Sequence, residues 1–304
     1  MKNTRISTRT VILLVLPLLA PAAALAGETG YKGPAWTPKD SLEATAFIRA
    51  FREHPEKIDS LVSGPGNMSR SDQDLGFGYH LKEVWVNPAG KLGFSLKILL
   101  RSAGPVSFEV KPVLNYPGLA TRYQAALRTA FTLMPGHGEG GFPVFHPYHW
   151  NLAVAASPLP ADSMGLAESA LPPGVKEALS YYMTPYSGTT YGIRGGRGGQ
   201  ILENRDRFLS LSDTLMVDKT RALYLLRSLN PASRLTAAEF IIRHKEAFPA
   251  FETLLTTVLR KVFANPAKAE TMRGERVSME DARKLAYEYA HIEVKRSGRG
   301  VFRQ

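Results

Sequence analysis

Leu92–Leu100, LGFSLKILL, places Leu92, Phe94, Leu96, Ile98 and Leu100 at every second position. A period of two marks a strand with one face turned to a core, because successive side chains point to opposite faces of a sheet. Turn signals bracket the run, Asn87-Pro88-Ala89-Gly90 before it and Ser102-Ala103-Gly104-Pro105 after it. The same period continues on both sides. Phe77, Tyr79 and Leu81 alternate with Gly78 and His80, and Val106, Phe108 and Val110 alternate with Ser107, Glu109 and Lys111. Three such runs joined by short Gly/Pro turns predict an antiparallel meander over about 75–114 with one buried face.

Helical patterns flank this meander. Thr37-Pro38-Lys39-Asp40 combines a threonine cap, proline at the first helical position and an early carboxylate, so a helix should start there. His54-Pro55 ends it and leads into a short second helix through Ile58, Leu61 and Val62. The polar run SGPGNMSRSDQD, 63–74, is expected to be a loop. After Asn115-Tyr116-Pro117-Gly118, a stripe of Leu119, Tyr123, Leu127, Ala130 and Met134 predicts a helix stopped by Pro135-Gly136.

An irregular middle follows to about Gln200, with a helix expected from Gly174 to Met183. Beyond it the pattern is helical. Thr236-Ala237-Ala238-Glu239 has the form of a capping box, and Ser278-Met279-Glu280-Asp281 that of a second one. Phe251, Leu254, Leu255, Val258, Leu259 and Val262 make the strongest amphipathic stripe in the chain. His244 and His291 fall late in their helices, where a cation suits the negative end. The expected class is therefore α+β: the meander with flanking helices, then a mainly helical C-terminal region. The expected organisation is an α+β part over 27–183, a Gly/Arg-rich loop or linker over 184–200, and a helical part over 201–304 that either stands alone or joins the first.

Residues 1–26 have the form of a secretory signal. Lys2, Arg5 and Arg9 precede the apolar run VILLVLPLLAPAAALA, which ends in the small-x-small form Ala24-Leu25-Ala26. Pro17 and Pro21 interrupt the run, which disfavours an anchor helix, and cleavage after Ala26 is expected. Of 38 Lys and Arg in the chain, 35 would remain against 27 acidic residues, a net charge of +8. The expected location is a bacterial periplasm or the secreted fraction, with no integral span after cleavage. Nucleic acid is not expected as a partner there. An anionic envelope component or a glycan is, unless the excess charge serves only solubility.

The chain has no cysteine. That excludes thiol nucleophiles, thiolate zinc sites, iron–sulfur clusters and thioether haem attachment. No GxSxG or SxxK motif is present either.

Two stretches remain as candidate sites. GHGEGGFPVFHPYHW, 136–150, carries His137, Glu139, His146 and His149. A turn through His146-Pro147-Tyr148-His149 would bring its two histidines together. With His137 and Glu139 they would make a zinc site of three protein ligands and an open water position, in which Glu139 is either a ligand or the general base of a hydrolase. Tyr148 and Trp150 would instead stack on sugar rings if exposed, or plug the loop if buried. The second stretch is YSGTTYGIRGGRGGQ, 186–200. Here the backbone N–H groups of Gly195 and Gly196 suit an anion nest, and Arg194 with Arg197 would fork onto a phosphate or carboxylate. Two functions follow: a binding or accessory protein for an anionic or glycan ligand, or a zinc-dependent hydrolase.

Overall fold

The computed structural model describes residues 37–63, 67–89, 92–114, 117–137, 143–151, 172–186, 188–217, 222–223, 225–264 and 267–292. They fall within one compact unit, Ala35–Gln304. The signal and cleavage site expected over residues 1–26 lie outside the described residues. Among the described residues no helix is long and apolar enough to cross a membrane.

The fold is mixed α+β, an antiparallel sheet flanked by helices and followed by a mainly helical C-terminal region. Helix α1 (Pro38–Glu53) starts at the predicted cap: the Thr37 hydroxyl accepts from the Asp40 N–H, and the Asp40 carboxylate accepts from the Thr37 N–H at 2.8 Å. A short 3₁₀ turn leads to α2 (Ile58–Val62). The meander then runs through β1 (Met68–Gly76), β2 (Tyr79–Ala89), β3 (Leu92–Arg101) and β4 (Gly104–Leu114). After it come α3 (Pro117–Leu127), β5 (Leu133–His137), β6 (Pro143–Phe145) and β7 (Tyr148–Asn151).

Helix α4 spans Pro173–Met183, close to its predicted limits. A small hairpin of β8 (Arg194–Gly195) and β9 (Gln200–Ile201) precedes α5 (Glu203–Leu209), α6 (Ser212–Val217) and α7 (Pro231–Arg243). Helix α8 begins at Phe251–Leu254, widens into a π-helical stretch at Leu255–Leu259 and ends at Arg260–Val262. The chain then returns to the sheet as β10 (Lys268–Arg273) and β11 (Arg276–Asp281) before α9 (Ala282–Ala290).

The main sheet has seven strands in the order β11-β10-β1-β2-β3-β4-β7, paired antiparallel throughout. Four of its strands form the meander, one more than the alternation predicts. The extra strand is β1, which occupies the run expected to be a loop. Ser71, Asp72 and Asp74 are exposed, and β1 meets β10 at a single register pair, Gly76↔Ala269. A solvated strand with almost no partner on one side has no apolar alternation to display.

The meander is also buried on both faces, at different places along its length. Val84, Val86, Leu92, Phe94, Leu96, Ile98, Phe108 and Val110 pack with Phe47, Ile48 and Phe51 of α1 and with Tyr123 and Leu127 of α3. Leu75, Phe77, Tyr79, Leu81 and Leu99 belong to a second core with Tyr182, Phe208, Leu235, Ile241 and Leu285 of the helical region. Leu99 follows Ile98 directly, so the two cores lie on opposite faces of the strand. The switch is visible within β2, where burial moves from Leu81 to Val84 across Lys82-Glu83.

Three further expectations are corrected. Helix α3 ends at Leu127 rather than reaching Met134: the Thr129 hydroxyl donates to the Ala126 carbonyl at 2.6 Å, and Met134 lies on β5. The cap of α7 is Asn230, which accepts from the Ala232 and Ser233 N–H groups, while Thr236 and Glu239 sit buried in mid-helix. The residues 268–281 form a hairpin, and α9 is capped by Asp281 alone, which accepts from the Lys284 N–H at 2.7 Å.

The helical region holds a buried ion pair. Arg205 of α5 donates twice to Glu239 of α7, at 2.9 and 2.5 Å, and both side chains are 2 % exposed. Glu239 also accepts from the Tyr191 hydroxyl and from Arg243, each at 2.6 Å. Burial alone would lower the pKa of Arg205, and the charge and hydrogen bonds of Glu239 reverse this to a net rise. The Tyr191 hydroxyl is pushed up, first by burial and then by Glu239.

His244 caps the end of α7 with its ring 4.6 Å from that of Phe240. Burial, and then the charge of Arg243, lower its pKa from the ordinary 6.5. The position late in a helix does not make this histidine a cation. Above pH 6.5 the folded and unfolded chains both carry it neutral, so its contribution to stability is complete. As the pH falls below 6.5 towards the lower folded value, the unfolded chain takes up the proton first and stability declines. Urea midpoints measured between pH 6.5 and 5.0 should fall in the native chain and change less in His244→Gln. Equal slopes in the two would remove His244 as the cause.

Candidate functional site

Strand β7 decides where the histidine-rich stretch goes. It pairs with β4 in the register Val110↔Tyr148, Glu109↔His149, Phe108↔Trp150 and Ser107↔Asn151. Alternation then sends Tyr148 and Trp150 to the α1 side and His149 to the other. Tyr148 lies 5.2 Å from Phe51, and Trp150 stacks on Phe108 at 5.4 Å with planes 24° apart. Both rings are partly buried against the first core, so each is at least in part a packing residue.

The zinc site expected from these residues is not formed. Among the described residues no group of three or more His, Asp or Glu side chains is arranged to hold a metal ion. His146 is exposed in the link between β6 and β7, with its N–H bonded to the Thr132 carbonyl at 2.8 Å. His149 is on the strand, 3.8 Å from Glu109. The chain passes from one strand into the next here, and no turn folds His146 onto His149. His137 ends β5, and Glu139, the expected general base, lies outside the described residues. The zinc assignment of His137, His146 and His149 is therefore withdrawn, and with it the zinc-dependent hydrolase.

A different constellation occupies that face of the sheet. Glu83 pairs with Lys97, Lys97 with Glu109, and Glu109 with His149, a row in which carboxylates alternate with basic side chains across β2, β3, β4 and β7. Lys97 is 3.7 Å from Glu83, and these side chains are about one quarter to one half exposed. Tyr186 closes over the next register position. Its ring stacks on His149 at 6.2 Å, its carbonyl accepts from Lys97 at 3.4 Å, and its hydroxyl bonds Ser107. Ser107 donates its one hydroxyl proton to the Trp150 carbonyl at 3.0 Å, so Tyr186 must be the donor to Ser107. A buried serine with its proton on a carbonyl is no nucleophile. Burial, above all, holds the Tyr186 hydroxyl far above the range in which it would ionise.

This row was missed in the sequence because each residue is only the polar member of an alternating pair. The available signal was the sign sequence at matching positions of successive hairpin strands. Its physical content is cross-strand pairing, worth a few tenths of a kcal/mol to about 1 kcal/mol per contact.

The Gly/Arg stretch is docked on the last hairpin. Tyr191 bridges to Thr271 and Gly195 to Gly274. Gly195 is buried, and a Cβ there would fall 2.1 Å from the Met272 sulfur. The Gly196 N–H donates to the Gly274 carbonyl at 2.8 Å, and the Gly199 N–H donates to the Gly196 carbonyl at 3.0 Å. Of the expected nest, the Gly196 N–H is thus engaged within the fold and Gly195 is a packing position. The two arginines remain on the outside. Arg194 donates to the Gly199 carbonyl at 3.1 Å, and Arg197 is 96 % exposed, 3.7 Å from the exposed Glu275.

The chain matches no known family model, no curated protein and no solved structure.

Proposed function

We propose that this chain is an exported bacterial envelope protein, periplasmic or secreted, that binds an anionic envelope component and is not an enzyme. The observation that carries the reading is Arg197, almost fully exposed at the tip of a hairpin whose backbone is fastened to β10 and to Gly274 in the turn that follows it. A fixed mount lowers the ordering cost of engaging a partner. The net positive charge expected of the exported chain favours the same class of partner. The packing of Tyr148 and Trp150 against the first core argues for an anionic ligand over a stacked glycan.

Sedimentation with phosphatidylglycerol vesicles tests this. Each arginine near an anionic surface contributes about 1 kcal/mol, so Arg194→Ala with Arg197→Ala should weaken binding roughly thirtyfold. Added salt should weaken the native protein as well. Retention that ignores both salt and the double substitution would remove the hairpin as the binding element.

A further inference from the structure

A second site lies on α8, independent of the Gly/Arg hairpin. Of the residues from Phe251 to Val262 only Leu259 is buried, while Phe251, Leu254, Leu255, Val258 and Val262 are half-covered by the helical core. The stripe that reads as the most amphipathic in the sequence therefore carries more apolar surface than the core covers.

The π-helical stretch Leu255–Leu259 lies within this segment. Two threonines accompany its wide turn. The Thr256 hydroxyl reaches the carbonyls of Glu252 at 2.8 Å and Thr253 at 3.1 Å, and the Thr257 hydroxyl donates to Thr253 at 2.5 Å. Hydroxyls that bond back to carbonyls locally compensate a disturbed helical ladder. π turns are rare and occur often at functional sites.

Residues of the π turn line a groove of about 160 Å³, Leu255, Thr256 and Leu259 together with Arg260, Phe263 and Arg283 of α9. Arg260 and Arg283 are exposed, and among the described residues neither has a carboxylate within ion-pairing distance. Four other arginines of the region do: Arg205 and Arg243 with Glu239, Arg207 with Glu177, Arg273 with Glu280 and Glu288. Arg283 lies 5.8 Å from the centre of the Tyr287 ring, which leaves its N–H donors without a carboxylate among the described residues. Two such guanidiniums lining one largely apolar groove suit an anionic head on an apolar body. The groove is smaller than the roughly 300–1,000 Å³ of sites for drug-sized ligands. It fits one short chain.

We infer that this groove binds a single-chain amphiphile with a carboxylate head, a fatty-acid-like monoanion of medium length. The chain lies along Leu255, Leu259 and Phe263, and the carboxylate meets Arg260 and Arg283. Calorimetric titration of the full protein with decanoate, below the concentration at which decanoate self-associates, tests it. Saturable binding with one decanoate per protein is expected. Decanol, with the same chain and no charge, should bind at least tenfold more weakly. Arg260→Gln with Arg283→Gln should weaken decanoate binding about a hundredfold, tenfold for each charged hydrogen-bonding partner. Thr256→Phe, which fills the groove from an exposed position, should abolish binding while circular dichroism shows the chain still folded. Arg194→Ala with Arg197→Ala should leave decanoate binding unchanged, which separates this site from the vesicle-binding hairpin. Absence of saturable binding, equal affinity for decanol, or an unaltered affinity in the arginine double variant would each overturn the assignment.

Discussion

Glu239→Ala is expected to destabilise the protein by about 3–5 kcal/mol, the usual cost of removing one partner from a buried ion pair. Two arginines and the Tyr191 hydroxyl converge on this carboxylate. Without it the Arg205 guanidinium stays buried, with the Gly192 carbonyl accepting from its Nε at 3.2 Å. That carbonyl is a dipole and not a counter-charge, so the uncompensated charge dominates the loss. Urea unfolding followed by circular dichroism measures it. A decrease below about 1 kcal/mol would mean that water or a rearranged carboxylate reaches Arg205. Arg205→Met combined with Glu239→Leu should recover a large part of the loss, because an apolar pair of similar volume leaves no charge buried between them.

Gly76→Ala should cost at least about 3 kcal/mol, through a different mechanism. Gly76 has φ +86°, a left-handed conformation that alanine adopts only with strain, and its added Cβ would fall 1.9 Å from the Lys268 carbonyl oxygen. The residue is also the register pair that joins β1 to β10, backed by the Phe77 N–H donating to Lys268 at 2.9 Å. The methyl group is driven into the backbone pairing that joins the meander to the last hairpin. Hydrogen exchange would locate the damage, with protection lost first in β10 and β11. Gly78→Ala is the control, since a Cβ there meets nothing within 4 Å although φ is +73°. Losses of similar size in both variants would reduce the effect at Gly76 to backbone strain alone.

The meander was legible because Leu92–Leu100 and its neighbours bury apolar side chains at a strict period, and the cap at Thr37 because its chemistry is local. Strand β1 and the β10–β11 hairpin were not. Their pairing is long-range, and neither needs an apolar stripe: β1 is polar and largely exposed, and in β11 Val277 is 49 % exposed. The parity change across Lys82-Glu83 was present in the sequence, and its meaning depends on a helical layer supplied by residues far downstream. The candidate sites divide in the same way. Exposure of Arg194 and Arg197 follows from a Gly-rich tip. Convergence of His137, His146 and His149 required a shared face that the register of β7 does not provide, since it spends its alternation on Tyr148 and Trp150. The α8 groove depends on a π turn and on Arg283 from another helix, neither of which has a sequence period.

The two cores set an order of assembly. The first draws all its side chains from residues 44–150, so it can condense before the rest of the chain has joined it. The second must recruit α4 to α9 onto the opposite face of strands that already exist. Its hairpin pairs with β1 across roughly 190 residues of intervening chain, the kind of distant contact that slows folding. Until it arrives, Leu75, Phe77, Tyr79, Leu81 and Leu99 form an uncovered apolar patch on a finished meander. The half-built protein is therefore sticky on the face that the mature protein hides. A chaperone able to shield that face would act during a defined interval, after β4 is complete and before β10 docks.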